Sequence, residues 1–358
     1  MYFVGIDLHK KLIVLCVMDQ NRRVMQTQKF ACCEVGLIRK FFESLGKFRA
    51  VVEATASYEW LVDLLEPLAD KIVLAHPSKL RVIAESSRKS DKLDAKILAE
   101  FLVLDMIPEA YRPTKREREH RMLVRHRVSI RRGINRVKCR IRRVLSDHNT
   151  DRDNLFNAKG LQFVRTLILP ESERFVLDQL LANYDHLKEQ LGAIDRRIKR
   201  FAESAPTKEK EARELLATVP GVGEVVTEVI LAELGDVNRF GSQKKACAYA
   251  GLVPSKRESA GKSKDLGITK EGSVLLRTML VQSAWVAVRY SRKWGRVYDD
   301  LRRRCGPKRA IIAVARRLLT VIVAVLKSGS PYSAAPKVDP KPKSRRKVPE
   351  AAHAGTAF

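Results

Sequence analysis

Carboxylates are scarce in this sequence. Only 41 Asp and Glu oppose 69 Lys and Arg, which leaves a formal charge of +28 on 358 residues. A surplus of that size calls for a polyanionic partner and points to nucleic acid. Long apolar runs are missing as well. The opening stretch MYFVGIDLHKKLIVLCV carries Asp7, His9, Lys10 and Lys11 and has no small-residue cleavage site, so it reads as neither a signal peptide nor a span. The next longest run, Ala310 to Leu326, is broken by Arg316 and Arg317, which a bilayer centre rejects, and it reads as a buried terminal helix. A cytoplasmic protein that meets no membrane is expected. The six cysteines (Cys16, Cys32, Cys33, Cys139, Cys247, Cys305) form no C-x-x-C and no histidines pair at ligand spacing, which argues against a structural zinc site and for reduced thiols.

What is present is a folded chain. Hydrophobic residues make up 45% of it, too many for a disordered basic tail protein, and a prior of roughly 150 residues per domain allows two or three domains. Residues 2 to 8, 11 to 18 and 23 to 30 have the alternation of a three-strand meander. A helix from Glu34 to Leu45, a strand from Ala50 to Glu53, a helix from Tyr58 to Leu68, a strand from Ile72 to Ala75 and a helix from Asp91 to Leu104 follow. That order predicts an α/β layer with a mixed sheet over residues 1–110.

From Lys115 to Ser146 one long helix holds thirteen Lys or Arg against Glu117 and Glu119 alone. Ile130, Ile134, Val137, Ile141 and Val144 form its apolar stripe. Counterion release favours phosphate contact by the remaining face, with Arg125, Arg131, Arg132, Arg136, Lys138 and Arg140 as the candidates. Leu177, Leu180, Tyr184, Leu187, Leu191, Ile194, Ile198 and Phe201 then step by threes and fours as a heptad seam. Such a seam predicts self-association, or else packing against the basic helix within one chain. Residues 111–206 are thus a basic helix and coiled-coil region, 207–330 a mainly helical C-terminal domain, and 331–358 a disordered, proline-rich basic tail.

Three constellations carry chemistry. Asp7 on the first strand, Glu53 at the end of the fourth, and Asp91 and Asp94 at i and i+3 on one helix face form an acidic set that a hard divalent cation, Mg²⁺ or Mn²⁺, would relieve of its mutual repulsion. The strand and helix order that carries them is that of a ribonuclease H-like fold. Val219-Pro-Gly-Val-Gly223 lacks the third glycine and the preceding strand of a dinucleotide fingerprint. It looks like a helix-hairpin-helix turn, with Gly221 and Gly223 opening backbone N–H groups to a phosphate. Last, residues 251–277 mix hydroxyls with bases, among them Lys262, Lys270 and Arg277, and a serine there can attack phosphorus if cations stabilise the equatorial oxygens.

The pieces Gly5-Ile-Asp-Leu-His-Lys10, Val52-Glu53-Ala-Thr-Ala-Ser-Tyr58, Lys89-Ser-Asp91-Lys-Leu-Asp94-Ala95, Pro220-Gly-Val-Gly223, Arg239-Phe240, Ala250-Gly-Leu-Val-Pro254, Ser259 and Gly272 to Arg277 together resemble the DEDD insertion-sequence transposases of the insertion-sequence-one-ten family, which includes the Piv-type DNA invertases. The resemblance covers roughly residues 2 to 325. It implies a RuvC-like N-terminal domain whose metal ligands are Asp7, Glu53, Asp91 and Asp94, a coiled coil, and a C-terminal transposase domain whose nucleophile is Ser259. It also implies double-stranded donor and target DNA and a non-coding bridge RNA that pairs with both. Because two duplexes must then be aligned, dimers that meet in a synaptic tetramer are expected, with the heptad helix as one contact. Where the family has Gly-Gly after the serine, this chain has Ala260 and Gly261, which leaves Ser255 and Ser263 as alternatives.

Rival readings use the same residues. A RuvC-like structure-selective endonuclease would turn the carboxylates on water without a serine, and a protein-directed invertase would need no guide. An architectural protein would not need four acids. An actin-like ATPase, suggested by Gly5-Ile-Asp7, would have small residues where His9 and Lys10 stand.

Overall fold

The computed structural model describes residues 1–54, 57–77, 79–80, 91–259 and 262–333, with side chains described at all of these except 91–93, 256–259 and 262–265. The expected disordered tail therefore lies almost wholly outside the described residues. The chain divides into two compact units, residues 1–113 and 114–358.

The first unit is built on a five-stranded sheet of order β3-β2-β1-β4-β5. Its strands are β1 (Tyr2–Leu8), β2 (Leu12–Met18), β3 (Val24–Ala31), β4 (Phe48–Glu53) and β5 (Lys71–Ala75). The meander pairs antiparallel, whereas β4 lies parallel to both β1 and β5. The expected mixed α/β sheet is present. Strand alternation sends one set of side chains to each face. Val4, Ile6, Ala50 and Val52 meet Ile38 and Phe42 of α1 (Val35–Ser44) and Leu61, Val62 and Leu65 of α2 (Glu59–Leu65). On the opposite face Val51 and Val73 meet Leu98 and Leu102 of α3 (Asp91–Val103), and Val14, Cys16 and Met18 meet Ala95 and Ala99.

Among its described residues the second unit is helical apart from one hairpin. Thr114 and Glu117 form a reciprocal capping box that starts α4 (Lys115–Asp147). Asn157 caps the short α5 (Ala158–Thr166), and α6 (Glu171–Glu203) follows. Ion pairs of Arg127 with Asp195 and of His148 with Glu173 show that α4 and α6 run antiparallel. The heptad seam is a buried one: Leu177, Leu180, Tyr184, Leu191, Ile194 and Ile198 pack on Ile130, Ile134, Val137 and Ile141 of the same chain. Self-association through this seam is accordingly corrected to intramolecular packing, because the apolar stripe of the basic helix already covers it.

The core of this pair also takes in Val229 and Ala232 of α8 (Glu224–Leu234) and Leu275 of α10 (Val274–Tyr290). The coiled-coil region and the C-terminal segment, which the sequence separates at 206, are one compact unit. A second core joins α7 (Thr207–Ala217), α8, α9 (Gln243–Tyr249), α10, α11 (Arg292–Cys305) and α12 (Pro307–Ser328), the last of these holding the apolar run around Arg316 and Arg317. No helix among the described residues is long and apolar enough to cross a membrane. The serine-rich stretch forms an antiparallel hairpin, β6 (Pro254–Ser259) and β7 (Lys262–Ile268).

Candidate active site

The acidic set begins at a glycine. Gly5 sits in the middle of β1, and a Cβ built there would lie 2.0 Å from the Ala95 carbonyl oxygen and 2.4 Å from the Ala99 amide. Only hydrogen lets the α3 backbone rest on the strand at this point. Asp7 stands two residues beyond Gly5, and so points to the face that α3 covers. Ile6 is opposite Val52 in the parallel register, which brings Asp7 and Glu53 to neighbouring strand ends. Val51 faces α3, and Glu53 shares its parity. Asp94 immediately precedes the Ala95 whose carbonyl meets Gly5. Asp7, Glu53 and Asp94 thus belong to one sheet face and one end of it, all half-buried.

Asp7 has a neighbour of its own, His9, whose Nε2 lies 3.0 Å from Asp7 Oδ2 and donates to it. Asp91 begins α3, but its side chain is outside the described residues, as is everything from 81 to 90. Among the described residues no three His, Cys, Asp or Glu side chains stand close enough to share one ion. The donors available on this face are nonetheless carboxylate oxygens, the chemistry that suits a hard divalent cation.

In the second unit Ser259 is opposite Lys262 at the last pair of the hairpin, and residues 260–261 between them are outside the described residues. Ser263 pairs with Glu258, and Ser255 with Gly267 beside a bulge nearer the base. The base is clamped by backbone. A Cβ on Gly251 would meet the Glu271 carbonyl oxygen at 2.1 Å, and one on Gly272 the Tyr249 carbonyl oxygen at 1.9 Å. Arg277 donates from Nη1 to the Ala250 and Glu271 carbonyls at 3.1 Å each. Through this one nitrogen the guanidinium staples the two glycine segments together. Lys270 remains exposed at the end of the hairpin, with φ of 57°.

The other basic candidates divide in the same way. Arg125, itself 59% exposed, makes a two-pronged pair (2.8 and 3.0 Å) with Glu233, whose side chain is 1% exposed, so its first partner is a carboxylate of the fold. Lys138 lies 4.6 Å from the Phe156 ring centre, where burial first, and Arg131, Lys188 and Arg142 second, push its ammonium down from the ordinary lysine value. Arg131, Arg132, Arg136 and Arg140 are exposed on α4 without an acidic partner among the described residues. At the Pro-Gly-Val-Gly turn, Gly221 has φ of 84° and its missing Cβ leaves room for the Ser283 carbonyl oxygen at 2.3 Å. On the side where a Cβ would stand, its close approach is to α10, a packing contact. Gly223 precedes the first turn of α8 and nothing lies within 4 Å of a Cβ there.

Sequence reasoning missed Gly5 as the element that seats α3, although a lone glycine inside an apolar strand is a known sign of close backbone approach. It missed the hairpin too, because a polar, basic strand has no hydrophobic alternation to announce it.

Two family profiles match the chain. The DEDD transposase profile of the IS110 type matches residues 4–150, and the one described as Transposase IS116/IS110/IS902 family matches residues 213–299. The chain belongs to the IS110-family DEDD transposases. It is 25% identical to the transposase for insertion sequence element IS1111A of Coxiella burnetii over 92% of this chain and 90% of that one. It is 25% identical to the IS1328 transposase of Yersinia enterocolitica over 79% and 83% of the two chains. The pilin gene-inverting protein of Moraxella bovis is 24% identical over 92% of this chain and 97% of its own. As a DNA transposase the chain is an enzyme acting on DNA.

Proposed function

We infer that this transposase cleaves and exchanges DNA strands through a phosphoserine intermediate formed by Ser259, in a RuvC-like, ribonuclease H-like frame whose carboxylates Asp7, Glu53, Asp91 and Asp94 hold a divalent ion. The observation that carries the reading is the seating of α3 on β1 at Gly5, which favours one face for Asp7, Glu53 and Asp94. A Mg²⁺ or Mn²⁺ ion bound by these oxygens would polarise a phosphoryl oxygen as a Lewis acid. The chain's own part is to orient the carboxylates, with His9 fixing one oxygen of Asp7, and to present the serine at the tip of a clamped hairpin.

In the first step Ser259 Oγ forms a bond to phosphorus and loses its proton to solvent, while the bond from phosphorus to a strand oxygen breaks and that oxygen leaves as a hydroxyl. In the second the hydroxyl of the incoming strand attacks the phosphoserine and Ser259 regains its proton. The phosphodiester count is conserved, as strand exchange requires. The name of the Moraxella relative supports recombination as the outcome. Arg131, Arg132, Arg136 and Arg140 offer phosphates four cations on one helix, and the guide is a bridge RNA, which would leave base reading to pairing. Two duplexes have to be aligned, so a dimer and then a tetramer is the working assembly, with contacts other than the buried heptad seam.

A denaturing gel of enzyme, DNA and Mg²⁺ tests the serine. A DNA-linked protein band that disappears in Ser259→Ala and remains in Ser255→Ala and Ser263→Ala is expected. Its persistence in Ser259→Ala overturns the nucleophile, and hydrolysis without any adduct favours the endonuclease. Sequencing RNA retained through a high-salt wash tests the guide: one abundant non-coding species is expected, and heterogeneous RNA moves the reading to a protein-directed invertase.

A further inference from the structure

Between the serine hairpin and α12 lies a groove of about 1060 Å³. Its apolar lining is aliphatic, from Leu252, Leu266, Ile268, Leu301, Ile312 and Ala313. Among the described residues its charged lining is of one sign, Lys270, Lys308, Arg309, Arg316 and Arg317, and none of these pairs with a carboxylate there. The two cation pairs on α12 are two helical turns apart, about 12 Å at 1.5 Å per residue. Five like charges converging on one cleft focus a positive potential that draws in a polyanion.

The shape selects among polyanions. At about 1060 Å³ the groove lies just above the ~300–1,000 Å³ range of small-ligand sites, with room for a few unpaired nucleotides and too little to enclose a duplex. The aliphatic wall gives base faces apolar cover without reading their edges, in place of the aromatic rings on which single-strand channels stack bases. One wall of the groove is the hairpin that ends at Ser259.

We propose that this groove holds an unpaired segment of DNA strand, its phosphates on Lys270, Lys308, Arg309, Arg316 and Arg317 and its bases against the aliphatic wall. The choice of DNA rests on Ser259 being the cleaving residue; the charge and size of the groove do not. The strand held here is the one that leads to the scissile phosphate.

Fluorescence anisotropy on the full chain tests it, with labelled short oligothymidylate as probe and a blunt duplex, oligouridylate and polyglutamate as comparators. The exposed pair Arg309→Gln with Arg317→Gln is the first variant, and Lys308→Gln with Arg316→Gln the second, each with helix content checked by circular dichroism. Either should weaken oligothymidylate roughly tenfold and lower the salt slope by about 1.4, at about 0.7 per phosphate for a single strand. Duplex binding should change less than about threefold, since other cations hold the duplex. Unchanged oligothymidylate affinity in a folded variant overturns the proposal. So does an equal loss on the duplex, or tighter wild-type binding of oligouridylate or polyglutamate than of oligothymidylate. An adduct that persists in Ser259→Ala overturns the serine reading while the oligothymidylate loss stands; an intact serine dependence without that loss overturns the groove alone.

Discussion

The carbonyl oxygen of Ala95 occupies the place where a side chain on Gly5 would begin, 2.0 Å from the position of its Cβ. This contact joins the strand that bears Asp7 to the helix that bears Asp94. Gly5→Ala should therefore push α3 off the sheet, at a cost of about 3 kcal/mol, the upper part of the range for overpacking a core. Urea denaturation gives the stability. Adduct formation should fall with it even at a temperature where the variant is folded, and an alanine tolerated at both levels would contradict the contact.

Along α4, Arg125 is paired with a buried carboxylate, whereas Arg132 and Arg136 are exposed and proposed to meet phosphate. Arg125→Met leaves Glu233 buried without its cation and should destabilise the second unit by about 3 kcal/mol. The salt slope of duplex binding should not move. Arg132→Gln with Arg136→Gln should do the reverse, leaving stability within about 0.5 kcal/mol and lowering the slope by about 1.8, at roughly 0.9 per phosphate.

Three glutamates make the second unit acid-sensitive. Burial raises the carboxyl of Glu228, but hydrogen bonds from His120 and Arg213 outweigh it and hold it below its ordinary value. Glu209, between Arg116 and Arg213, and Glu233, beside Arg125, are lowered in the same manner against their own burial. A lowered folded value stabilises the native state above the unfolded glutamate pKa of about 4.3 and loses that contribution as pH falls through the folded value. The urea midpoint should be level near neutrality and drop below about pH 4.5, and Glu228→Gln should make the drop shallower. A midpoint insensitive to acid would show these pairs to be immaterial.

The two glycines of the turn should part company. Gly221→Ala meets both a positive φ and the Ser283 carbonyl, and should destabilise by about 3 kcal/mol. Gly223→Ala has open space and an ordinary φ of −95°, so it should cost about 1 kcal/mol or less, as an alanine before a helix does. Thermal melts of the two variants decide this, and equal losses would refute the assignment of Gly221 to packing.

Periodicity carried much of the fold. Apolar spacing located α6 from Leu177 to Phe201 inside the observed Glu171–Glu203, and the stripe of α4 with it. It could not say that each was the other's partner, since a heptad seam looks alike whether it meets a second chain or the same one. Charge was legible as a total and not as a distribution: Arg125 and Arg132 are equivalent letters until Glu233, over a hundred residues away, is seen beside one of them. Arg277 was equally opaque, its carbonyl partners lying in turns that only glycines at 251 and 272 allow. The acidic residues were readable because strand order and parity determine where Asp7 and Glu53 emerge, whereas polar Pro254–Ser259 gave no sign of pairing with Lys262–Ile268.

The antiparallel pair of α4 and α6 is two 33-residue helices locked side by side. At 1.5 Å per residue such a bar is about 50 Å long. Along a duplex that is the length of about fifteen base pairs at 3.4 Å each. Zipped along its length by buried Leu and Ile, the bar resists shortening and bending, either of which would expose its seam, so the groups at its two ends keep a set spacing.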